Sequence, residues 1–97
     1  MAINDLEKEI LILKSQTHPG RKRTQARIVA GMSLKYFYNI TETNYIKILQ
    51  KAVNDETLPK EIRDCAIRLT SRVDANFNSL SVNPIDDALK INEFVKQ

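Results

Sequence analysis

The sequence predicts an all-α fold, a single-domain bundle of about five helices over residues 1–97, on three observations. Apolar residues recur at steps of three and four along most of the chain, the spacing that lines one face of an α-helix. Nothing alternates with a period of two for long enough to argue a strand. Only two glycines and three prolines are present, which leaves little material for long loops.

The first helix is expected over residues 5–16. Asn4 and Glu7 have the spacing of a capping pair, and Ile3, Leu6, Ile10 and Leu13 make the buried stripe. Leu11 and Ile12 fall off that stripe, which implies either burial of the helix on two sides or a partner surface. Thr17-His18-Pro19-Gly20 reads as a break, because the residue before proline is biased away from helix and glycine suits a turn. The second helix is expected over 22–39. Its apolar residues cover most of the circumference, which places it centrally. Gly31 lies inside it, where glycine costs about 1 kcal/mol relative to alanine. It therefore marks either a close helix contact or a turn.

Thr41 or Thr43 is the expected cap of a third helix over 43–54, with Ile48, Leu49, Ala52 and Val53 among its apolar residues. The fourth, over 58–80, shows the most regular stripe: Leu58, Ile62, Cys65, Ala66, Leu69, Val73, Phe77 and Leu80. Thr57 is its expected cap and Pro59 suits its first turn. Arg68 and Arg72 fall on the opposite face. The fifth helix, over 84–96, is introduced by Asn83 before Pro84 and carries Ile85, Ala88, Leu89, Asn92 and Val95 as its stripe. Asp86 and Asp87 fall in its first turn, where carboxylates complement the helix dipole.

Residues 48–69 resemble one hairpin of a HEAT-type helical repeat: Ile48-Leu49 and Ala52-Val53 precede Asp55, and Ile62-Arg63, Ala66 and Leu69 follow. The resemblance implies a structural role for Asp55 and Arg63, which in such repeats help tie neighbouring hairpins. Asp55 to Arg63, with Leu58-Pro59 and Ile62-Arg63 at its end, is also similar to the turn of a small uncharacterised archaeal all-helical family. That likeness implies a helical fold and brings no activity with it.

Several function classes find no residues to support them. His18 and Cys65 are the only histidine and cysteine, they stand in different elements, and no paired metal-ligand spacing occurs, so neither a metal nor a cofactor is expected. Ser15 near His18 sets no nucleophile and base geometry, and no glycine-rich phosphate loop is present, so no catalytic residue and no enzyme activity are expected. The longest apolar run, Ile10 to Leu13, is too short for a membrane span, and the charged first residues do not read as a signal peptide. A cytoplasmic protein is the expectation.

The charge distribution is the feature with functional content. Residues 21–40 carry Arg21, Lys22, Arg23, Arg27 and Lys35 and no acid. In the other 77 residues ten basic side chains face twelve acidic ones. Cations ordinarily avoid helix N-termini, where the dipole is already positive. Three at one such end read either as a solvated basic face tied to acids elsewhere in the fold or as an anion site, for which nucleic-acid phosphates are the expected ligand, with Tyr36 and Tyr38 as candidates for base stacking. A protein-interaction module using Leu11, Ile12 and Ile67 is the competing expectation. A third is a helix-turn-helix with its turn at Gly31-Met32-Ser33 and a reading helix from Leu34 to Asn39.

Overall fold

The computed structural model describes the backbone of residues 3–70 and 83–96, and the side chains of these except residues 3–5 and 19. Five α-helices make up the described chain: α1 Ile3–Ser15, α2 Pro19–Tyr38, α3 Tyr45–Val53, α4 Lys60–Thr70 and α5 Pro84–Lys96. No strand occurs among the described residues, and the all-α class stands as the apolar spacing predicts. The radius of gyration is 12.4 Å, against about 12.5 Å for a globule of this length.

α2 is the axis of the bundle. It packs against α1, α3, α4 and α5, and its middle, Val29 through Leu34, is buried without interruption. Leu13 of α1, Ile48 and Leu49 of α3, Leu69 of α4 and Ile91 of α5 all join it in the core at 2% exposure or less. Full burial of each such side chain contributes about 1.5–3 kcal/mol. Two polar side chains in this core satisfy one another: Asn92 Nδ2 donates to Ser33 Oγ at 3.1 Å, and Ser33 Oγ donates to the Val29 carbonyl at 2.8 Å.

The glycine at position 31 is a contact residue. α2 runs unbroken from Pro19 to Tyr38, and a Cβ at Gly31 would lie 2.6 Å from both Cβ and Cδ1 of Tyr45. Tyr45, at the first turn of α3, takes the space a side chain would need. The turn that a helix-turn-helix requires at Gly31 to Ser33 is absent, and Leu34, expected to begin an exposed reading helix, is fully buried. That expectation is corrected.

Helix ends differ from the expected ones where several polar residues compete to cap. α2 starts at Pro19, so Gly20 belongs to the helix and not to a turn; His18 is the cap, its Nδ1 accepting from the Arg21 N–H at 3.4 Å. α3 is capped by Asn44, whose Oδ1 accepts from the Ile46 and Lys47 N–H groups at 3.0 and 3.3 Å, and not by Thr41 or Thr43. Thr57 does not cap α4. Its N–H and hydroxyl both donate to Asp55 Oδ1, at 2.9 and 2.5 Å, in a turn before the helix. The first α4 bonds run from Ile62 and Arg63 to the Pro59 carbonyl. Asn83 caps α5 as expected, accepting from the Asp86 N–H at 3.1 Å.

The Asn4 and Ile3 side chains, and the stretch of the expected long helix that holds Arg72, Val73, Phe77 and Leu80, lie outside the described residues.

Candidate nucleic-acid interface

The five cations of the acid-free segment all sit on α2 or its first turns, but the helix does not hold them in one cluster. Arg21, Lys22 and Arg23 occupy the N-terminal turns, where Arg21 is exposed and the other two are half-buried. Lys35 lies past the buried middle, about 20 Å further along the axis. At 100° per residue, Arg21, Lys22, Lys35 and Tyr36 fall within an arc of about 140°, with Arg23 and Arg27 on the far side.

Arg27 has a task inside the fold. Its Nε–H donates to the Leu69 carbonyl of α4 at 2.6 Å. Partial burial, with the neighbouring charge of Arg23 second, pulls its pKa below the usual arginine value. The side chain expected to reach outward for an anion reaches inward to tie α2 to α4.

The remaining four cations have no carboxylate within 4.0 Å among the described residues, whereas Lys47 and Arg68 each have one and Lys90 has two. No acid stands in the first turn of α2. The charge of Arg21, Lys22 and Arg23 adds to the positive end of the helix dipole, whereas Lys35 lies in the last turn, at its negative end. Glu9, across from this region on α1, is occupied by Gln25, whose Nε2 donates to both its carbonyl and its carboxylate.

The C-terminal end of α2 carries three consecutive aromatics with different fates. Tyr38 is committed: its hydroxyl donates to Asp55 Oδ2 at 2.6 Å, Lys51 Nζ lies 5.1 Å from its ring centroid, and Phe37 meets it edge-on at 5.2 Å. Phe37 also packs on Phe94 at 5.5 Å. Tyr36 is 61% exposed and makes no ring contact among the described residues. The helix stops at Asn39, which takes the left-handed conformation (φ 52°, ψ 53°). The Ile40 N–H returns to the Lys35 carbonyl and the Asn39 N–H to Tyr36, a Schellman closure. This turn shapes a shallow cleft lined by Lys35, Tyr36, Asn39 and Ile40. Tyr36 and Tyr38 are alike in sequence as stacking candidates; only the tertiary partner Asp55 separates them.

Asp55 and Arg63, to which the HEAT-type likeness assigns structural roles, are placed differently. Asp55 joins Tyr38 of α2 to the α3 and α4 turn, and hydrogen bonds from Thr57 and Tyr38 hold its carboxyl below the usual range. Arg63 Nε is buried and meets no acceptor among the described residues. Leu11 (66%), Ile12 (43%) and Ile67 (42%) are exposed, as the off-stripe positions predict, but they divide between α1 and α4.

Cys65 is fully buried, its thiol pushed up to about 11 by burial first and then by the Asp87 carboxylate. It is a core residue with little thiolate at neutral pH. Among the described residues, no group of three or more His, Cys, Asp or Glu side chains could hold a metal ion, and no helix is long and apolar enough to cross a membrane. Comparison with protein families, curated proteins and solved structures gives no match.

Proposed function

We propose that this chain is a non-catalytic cytoplasmic helical module that contacts the phosphate backbone of nucleic acid through Arg21, Lys22 and Arg23, with Lys35 as a separate contact at the other end of α2. The observation that carries the reading is the set of cations at the ends of α2 that no carboxylate among the described residues neutralises. Contacts made by a helix end and point charges reach phosphate, which is alike in every sequence, so affinity does not depend on base order. Arg27 is left out of the contact set because Leu69 already holds it.

The test is the double variant Lys22→Ala with Arg23→Ala, measured on two oligonucleotides of unrelated sequence. Both affinities fall by about the same factor. A loss confined to one of them, or wild-type binding to both, contradicts the proposal.

The exposure of Leu11 at 66% favours one other reading, a protein partner seated on the outer face of α1. Binding through that face resists salt and is lost in Leu11→Lys, while the basic double variant leaves it intact.

A further inference from the structure

The three aromatics at the end of α2 are consecutive in sequence, yet two of them have their faces or hydroxyls taken. Tyr38 is held by Asp55, Lys51 and Phe37, and Phe37 by Phe94. Tyr36 alone of the three presents most of its ring to solvent, at 61%. It lies in a cleft with a cation, Lys35, and a side-chain amide, Asn39, on a helix end that the closure at Asn39 and Ile40 keeps from fraying. Glu42, the acid nearest in sequence, is drawn to Lys47 and to the Thr43 N–H, and no acid among the described residues pairs with Lys35. An open aromatic face beside a cation and an amide has the chemistry of a nucleotide: ring for base, ammonium for phosphate, amide for a base edge.

We infer that the C-terminal end of α2 is a base-stacking site with Tyr36 as its platform, and hence that the partner is single-stranded nucleic acid. This inference rests on the nucleic-acid reading above. In a duplex the base faces are already stacked on one another, so Tyr36 has nothing to cover and only the phosphates are offered. In a single strand one base turns onto Tyr36 while its phosphates reach Lys35. The distance to Lys22, about 20 Å, is the length of roughly six stacked nucleotides, so one short strand engages both ends of the helix.

The experiment is fluorescence anisotropy of the full chain with a labelled oligothymidylate and with a duplex of the same length, at low salt. Wild type prefers the single strand. Tyr36→Ala weakens single-strand binding about 5- to 150-fold, the range of one lost stacking contact, and leaves duplex binding unchanged. Tyr36→Phe, which keeps the ring, retains the affinity. Equal binding of both forms, or wild-type affinity in Tyr36→Ala while Lys22→Ala with Arg23→Ala loses it, overturns the stacking site and leaves the backbone contact standing. Absence of binding to either form overturns both.

Discussion

Arg68 of α4 grips Asp87 of α5 with two nitrogens, Nη2 at 2.8 Å from Oδ1 and Nε at 3.1 Å from Oδ2, and Asp87 is only 5% exposed. Arg68 Nη2 also reaches Cys65 Sγ at 3.3 Å, and the carboxylate raises the guanidinium pKa further. The pair clips the two helices beside the core. Removing one member leaves the other charge buried or half-buried and without this partner. Since Arg68 keeps 34% of its side chain in solvent, Arg68→Ala is expected to cost about 3 kcal/mol, the low end for breaking a buried pair. Thermal melts check this, and an unchanged melt contradicts it.

Gly31→Ala sets two effects against each other. Alanine gains about 1 kcal/mol in helix propensity, but its methyl meets Tyr45 at 2.6 Å, and overpacking of that kind costs about 1–3 kcal/mol. The Tyr45 contacts are Cβ, Cγ and Cδ1, close to its backbone, so they cannot swing clear. The expected outcome is a net loss of stability. Gly20→Ala, whose nearest neighbour is the exposed His18 ring at 3.3 Å, is the control and stays near neutral or gains. Equal gains in both melts would contradict the close approach of α2 and α3.

The Tyr38 and Asp55 pair makes stability depend on pH at both extremes. Hydrogen bonds from Thr57 and Tyr38 depress the Asp55 pKa, so its contribution is present above the unfolded value of about 3.9 and is lost as pH falls through the folded one. Asp55→Asn is therefore less stable than wild type at neutral pH, and the gap narrows in acid. Burial first, and Asp55 second, raise the Tyr38 phenol. Its contribution is complete below about pH 10 and is lost as pH rises toward the folded value. The gap between wild type and Tyr38→Phe narrows in alkali. Denaturant melts across pH check both, and a pH-independent gap in either contradicts the bond.

The fold was legible because helix-period apolar spacing survives in every element. Leu6 and Leu13 of α1, the Ile48, Leu49 and Ala52 set of α3, and Ile62, Cys65, Ala66 and Leu69 of α4 read directly as buried faces. α5 shows where the rule misleads. Asp87 and Ile91 are buried there, while Leu89 is only half-buried, because an acid paired with Arg68 occupies a core-facing position and reads as a surface charge. Arg68, whose spacing places it opposite the core, is drawn toward α5 by that same pair. Caps at Thr57, Thr41 and Thr43 were misplaced because Asp55 and Asn44 stand within reach of the same turns. The candidate site was legible as charge and not as geometry. Arg27 looks like its neighbours until its acceptor, Leu69, 42 residues away, is in place.

Salt tests the central claim most directly. With three or four of Arg21, Lys22, Arg23 and Lys35 on phosphates of a single strand, the logarithm of the association constant falls linearly with the logarithm of salt concentration, with a slope of about −2 to −3. The Lys22→Ala and Arg23→Ala double variant flattens that slope by about 0.7 to 1.4, for one or two phosphate contacts removed. Absent binding at low salt, or binding whose slope is near zero in the wild type, contradicts the account.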